Sequence, residues 1–369
     1  MRSLWVRGRI AAQRVSAIES IARRAGQTGR IDDLTSCRAI FAGWVFSYHL
    51  SLQLGQASGH PLLRRGYLGV DAFFVLSGLV LAQAHPMLEW RWPEIRRFWL
   101  RRLARIYPVH LAMILLLAAL ALAGWAVGLR PREPVRFGVD ELWRNLLLIH
   151  GWGLSDRWAW NYPSWSISTE WAGYLAFPAL WGITRRLPMR LACALPAGML
   201  LALAAAETAA GKNGLNLSYR GALCRFLPEF IAGMAAVRLA SVSIVLPPGR
   251  LIALAGVVVA VGACLWWRDA IVVGGLWLCL AGLLIASRQG SQPALTGIPG
   301  LVRLGEISYS FYMSFACVEM LQAVLWRRLH ASPEEGPLLF AAVALAGTLA
   351  LATATWRWVE RPVARLFLT

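Results

Sequence analysis

Arg38 and His49 are the first residues whose types and spacing suggest chemistry. Both stand on one apolar stretch, Arg38-Ala39-Ile40-Phe41-Ala42-Gly43-Trp44-Val45-Phe46-Ser47-Tyr48-His49. At about 100° per residue their separation is close to three helical turns. Both side chains then share a face, roughly 16 Å apart along the axis. Ionisable groups are costly inside an apolar span, which makes each a functional candidate. A histidine in a partly dry cavity can take a proton from an alcohol or pass one on. The plain alternatives are an arginine that snorkels to an interface and a histidine that makes a helix–helix contact.

Three further clusters carry charge. In Ser164-Trp165-Ser166-Ile167-Ser168-Thr169-Glu170-Trp171-Ala172-Gly173-Tyr174, a spacing of four puts Ser166, Glu170 and Tyr174 on one face. Glu170 is expected to orient His49, share its proton or act as base itself; the alternative is a pairing with a structural arginine. Ser168 is a weak nucleophile candidate, because no histidine adjoins it in sequence and its better use is at a helix start. In the second cluster Arg97, Arg101 and Arg105 recur every fourth residue, with Arg102 beside them. Guanidinium forks in that pattern suit phosphates, such as those of an acyl-CoA nucleotide. Spacing alone favours the simpler reading, a basic anchor at a membrane edge. The third is Gly69-Val70-Asp71-Ala72-Phe73-Phe74-Val75-Leu76-Ser77-Gly78, where small residues permit close helix approach and Asp71 needs a partner. Arg38 and Arg64 are both open to it.

The elements that must position these groups are membrane helices. Of the 369 residues, 58% are hydrophobic and only 15% charged, against about 25% charged in ordinary soluble domains. Long apolar runs recur along the chain, so the fold class is an all-α polytopic membrane protein. Ten spans are expected, near 35–56, 67–86, 106–128, 163–181, 191–209, 220–240, 250–267, 270–287, 303–326 and 336–358. The piece 142–151 is too short to cross and reads as re-entrant or interfacial. Nineteen tryptophans suit a protein with many membrane interfaces.

The net charge of +18 would suggest nucleic acid in a soluble protein. Here the arginines flank apolar spans, so topology explains it and no nucleic-acid partner is expected. Counting basic loops puts both termini in the cytoplasm, although Arg64, Arg65, Arg130, Arg132, Arg136, Arg327 and Arg328 run against the rule. Residues 1–33 form a basic N-terminal segment, either an interfacial helix on an anionic leaflet or a solvated tail. Residues 34–369 form one membrane domain. The six cysteines show no metal or redox spacing, so neither a metal nor a structural disulfide is expected.

Taken together, the motifs resemble the acyltransferase family 3 of integral membrane O-acyltransferases of bacterial glycans. The resemblance runs from Leu34 to Pro362. It rests on Arg38 with His49, the Gly69–Gly78 signature, Arg102 and Arg105 with Ile106 and Pro108, and Trp165 to Glu170 with Tyr174. Leu304 to Tyr312 and Glu360-Arg361-Pro362 also match. Each is modest alone, but six in order are specific. Two positions depart: Thr35 stands where the family often has aspartate, and Phe315 stands about where a histidine is usual.

The resemblance implies an enzyme of the bacterial cytoplasmic membrane. It would move an acyl group, usually acetyl, from cytoplasmic acyl-CoA to a hydroxyl of an extracytoplasmic or lipid-linked glycan. His49, Arg38 and Glu170 become the expected catalytic set, and Arg101, Arg102 and Arg105 the expected acyl-CoA site. The competing reading is a transporter or flippase for a lipid-linked sugar, with His49 and Glu170 as a proton relay and no affinity for CoA.

Overall fold

The computed structural model describes residues 31–368 apart from 56–58, 129–133, 156, 213, 243–245, 267 and 331. The basic segment 1–33 therefore lies almost wholly outside the described residues, as do Arg130 and Arg132. Among the described residues every regular element is a helix.

The long helices are α1 (Asp32–Gln53), α2 (Gly69–Ala84), α3 (Trp92–Ala126), α5 (Trp165–Thr184), α6 (Met189–Ala209), α7 (Ala222–Ala240), α8 (Gly249–Leu265), α9 (Asp269–Arg288), α10 (Leu301–Arg328) and α11 (Pro337–Thr355). Shorter helices include α4 (Val139–Leu146) and α12 (Arg361–Leu368). Each expected span coincides with one long helix.

Among the described residues five segments are long and apolar enough to cross a membrane: Gly66–Ala84, Trp92–Ala126, Met189–Ala209, Asp269–Arg288 and the run Pro337–Phe367 that joins α11 to α12. Helix α8 is apolar but shorter. Helices α1, α5, α7 and α10 are of comparable length, yet they hold His49, Glu170, Arg225 and Glu319. Those polar side chains turn towards neighbouring helices, so their hydropathy is lower than that of the outer helices.

Buried faces of α1, α2, α5, α7 and α10 supply most of one continuous core. The α2–α7 pair packs backbone to backbone. A methyl group on Gly78 would collide with the Phe230 carbonyl, and one on Gly233 with the Val75 carbonyl. Small residues at such a crossing let helices approach closely enough for dispersion to hold them where water does not.

Loops gather at two ends. At one, Trp181 donates to the Pro86 carbonyl at 3.2 Å, Arg238 to Thr184 and Leu187 at 2.5 and 2.7 Å, and Arg288 to Gln83 at 2.6 Å. Asp33 joins the same end by accepting from the Ala294 and Leu295 amides at 2.9 and 2.7 Å. At the other end Asp269 pairs with Arg65 and accepts from Tyr67 and the Leu215 amide at 2.5 and 2.7 Å. Arg38 sits near the first end of α1 and His49 near the second.

Candidate active site

A cavity of about 150 Å³ opens among α1, α2, α3, α5 and α10. Arg38, Ser77, Arg102, Arg105, Glu170 and Tyr174 supply its polar wall, and Phe73, Phe74 and Leu76 are among its apolar lining. That volume suits a benzene-sized group and is too small for a nucleotide. The Ser166, Glu170 and Tyr174 face does line one space, because the three are one helical turn apart on α5.

Hydrogen bonds divide the charges of this cavity. Glu170 accepts from Ser77 at 2.8 Å and from Tyr174 at 2.7 Å. Arg105 is paired with Glu360, whose other oxygen accepts from Ser310 at 2.6 Å. Arg38 and Arg102 have no such ion pair among the described residues, and the Nε of Arg102 is buried without a hydrogen bond. Three guanidiniums thus face two carboxylates, which leaves the cavity one positive charge in excess and suited to an anionic ligand. Arg101 is exposed and outside the cavity wall.

His49 belongs to a second centre. Its Nδ1 lies 3.0 Å from the Tyr162 hydroxyl, which donates to Glu319 at 2.6 Å. The imidazole packs on Phe315 with ring centres 4.9 Å apart, so this aromatic ring forms one wall of the centre. Tyr48 lies against its other side at 5.1 Å, and Trp158 stacks on Tyr162 at 5.4 Å from the loop before α5.

Among the described residues no hydrogen bond joins His49 to Glu170. Glu170 sits beside Ser77 and Tyr174, at the level of Arg38, while His49 is served by Tyr162 and Glu319. The reason is axial rise. Tyr162 and Glu170 are eight residues apart near the start of α5, roughly 12 Å along its axis, so one chain segment reaches both ends of the Arg38–His49 track at different depths.

Other charges are structural. Asp71 pairs with neither Arg38 nor Arg64. Its partner is Arg225, which is wholly buried, donates through Nε at 2.8 Å and also caps the Leu217 and Tyr67 carbonyls. Ser168 ties the short piece before α5 to that helix, donating to the Leu148 carbonyl at 2.7 Å and accepting from the Gly151 amide at 2.9 Å. The piece itself is α4 followed by a distorted turn, His150–Leu154, packed on α5.

Tyr162, Glu319 and the role of Glu360 are not singled out by the sequence motifs. Glu319 carried a usable signal, since it is a lone carboxylate within an otherwise apolar stretch of α10. Tyr162 carried none beyond its place before Pro163.

A family model described as an acyltransferase domain matches residues 31–357, a stretch that contains both centres. The chain belongs to this acyltransferase family. Acyltransferase MdmB of Streptomyces mycarofaciens is 30% identical over 311 residues, covering 77% of this chain and 78% of that protein. Peptidoglycan O-acetyltransferase OatA of Listeria monocytogenes is 24% identical over 163 residues, covering 40% of this acyltransferase and 24% of OatA. No solved structure matches the chain.

Proposed function

We propose that this acyltransferase moves an acyl group, acetyl in the simplest case, from cytoplasmic acyl-CoA to a hydroxyl of an extracytoplasmic or lipid-linked glycan. In this reading all ten long helices cross the bacterial cytoplasmic membrane and both termini are cytoplasmic. The Arg91–Arg105, Arg185–Arg190 and Arg238–Arg250 loops then share the cytoplasmic end, as the excess of basic residues there favours.

The observation that carries the reading is the division of labour along α1. Arg38 and Arg102 stand without ion pairs in the cavity at one end, and His49 stands with a free Nε2 towards the other. Phosphate or carbonyl oxygens of the donor meet the guanidiniums, and the slim arm of CoA spans the roughly 16 Å to His49. His49 acts as general base on the acceptor hydroxyl. Glu170 works on the donor side, where it holds the wall of the cavity through Ser77 and Tyr174 and balances part of the arginine charge. The MdmB and OatA names support acyl transfer, and OatA's name supports an oxygen acceptor on a cell-wall glycan.

Labelled acetyl-CoA given to the purified protein with candidate glycans tests this. His49→Ala should abolish transfer while CoA binding persists. A variant that transfers as fast as the parent refutes the base assignment, and a parent without CoA affinity favours the sugar-carrier reading.

A further inference from the structure

We propose that Tyr162 and Glu319 are positioning residues that set the tautomer of His49 and hold the positive charge it acquires; this rests on His49 acting as the base. The argument is one of proton counting. The Tyr162 hydroxyl lies 2.6 Å from Glu319 Oε2 and 3.0 Å from His49 Nδ1. A phenol has one proton to give, and an ionised carboxylate can only accept. The short contact to Glu319 is the length of an O–H···O⁻ bond, so the phenol's proton goes there. Its oxygen is then left to accept, and among the described residues the donor within reach is an N–H on His49 Nδ1. A neutral imidazole has a single N–H, so Nε2 carries the lone pair. Among the described residues Nε2 makes no hydrogen bond and is available to an acceptor hydroxyl.

The groups facing this relay come from every neighbouring element. Gln53 from α1 reaches Glu319, and the Arg136 guanidinium lies 5.3 Å over the Tyr162 ring. Tyr48, Tyr219 and Phe315 are the remaining ring neighbours of His49, Trp158 and Tyr162. Arg136 adds positive charge beside the Tyr162 ring. When the acceptor oxygen attacks the thioester carbonyl, the C–O bond forms and the C–S bond breaks. The hydroxyl proton passes to Nε2 and then to the departing CoA sulfur. Between those two moments the imidazolium donates from Nδ1 to Tyr162, with Glu319 behind it. A carboxylate that reaches its histidine through a phenol does here what a directly bonded carboxylate does in other base assemblies.

The test uses the full chain in lipid nanodiscs labelled with ¹⁵N-histidine. His49→Ala identifies the His49 signals by difference. The expected parent spectrum at pH 8 has a protonated Nδ1 and an unprotonated Nε2; the opposite tautomer overturns the proposal without any need for turnover. Thiol release from acetyl-CoA, with N-acetylglucosamine as the probe acceptor, supplies the second readout. Glu319→Gln and Tyr162→Phe should each lower kcat about tenfold to a hundredfold with the KM for acetyl-CoA within twofold of the parent. In Glu319→Gln the acidic limb of the kcat profile should move to lower pH, because the imidazolium has lost its carboxylate. The double variant should be no slower than Tyr162→Phe, since Glu319 acts through Tyr162. Losses that multiply, or an unmoved acidic limb, overturn the relay. Transfer unaffected by His49→Ala overturns the base assignment instead, while the tautomer measurement still decides the order of the hydrogen bonds.

Discussion

Arg105 on α3 is paired with Glu360 at the far end of the chain, so one of the three cavity arginines is already neutralised inside the protein. Glu360 is almost fully buried and also holds Ser310 of α10 at 2.6 Å. The pair joins α3, α10 and the turn between α11 and α12 at the cavity rim. Glu360→Ala leaves Arg105 without its partner, and the expected loss is about 3 kcal/mol of stability. Thermal unfolding in detergent reads it, and Glu360→Gln, which keeps the Ser310 hydrogen bond, should lose less.

Arg102 and Arg38 should behave differently from Arg105. They bear charge that no carboxylate in the cavity meets by ion pairing, so their removal costs ligand affinity more than stability. Arg102→Ala is expected to weaken CoA binding about tenfold, equal to about 1.4 kcal/mol. Arg102→Lys should recover only part of it, because a point charge replaces a planar fork. Calorimetry with CoA checks both, and Arg101→Ala, an exposed site, should leave the affinity within twofold of the parent.

Asp71 and Arg225 form a wholly buried ion pair between α2 and α7, close to the backbone crossing at Gly78 and Gly233. Asp71→Asn should destabilise by less than the roughly 3 to 5 kcal/mol of a fully uncompensated buried charge, because the buried Glu229 carboxyl remains beside Arg225. Asp71→Leu combined with Arg225→Met should be more stable than Asp71→Asn. Thermal unfolding of the three proteins under one detergent condition decides it.

His85 follows α2 at the cavity end and packs edge-on against Phe98, 5.1 Å between ring centres, with Nε2 unpartnered. Burial, then the charges of Arg102 and Arg101, push this imidazole down to about 4. A base whose folded pKa lies below its unfolded value of about 6.5 stabilises the fold fully above pH 6.5 and progressively less as pH falls towards 4. The melting temperature should therefore drop over pH 6.5 to 4, and His85→Gln should flatten that part of the curve.

Some features of this protein follow from the amino-acid sequence alone. Apolar runs of about twenty residues, broken by arginines, determine that the chain is a set of long helices, because in a membrane the backbone must hydrogen-bond within each segment. The charges within those runs single out Arg38, His49 and Glu170, because a span tolerates such groups only where something uses or pairs them; Arg102 and Arg105, at the edge of a run, stand out only through the motif they share with the family. The helical period places Ser166, Glu170 and Tyr174 on one face, and they line one cavity.

Only the tertiary structure decides which charge meets which. Glu170 lines the cavity with Arg38 and Arg102, whereas Tyr162 bonds both His49 and Glu319, because partners at equal depth come from segments 113 to 157 residues apart in the chain. Asp71 meets Arg225 and Arg105 meets Glu360 across 154 and 255 residues. Period and hydropathy report on one helix at a time. The rotation and height at which two helices pack, fixed here by crossings such as Gly78 against Phe230, set these pairings, and no local pattern encodes them.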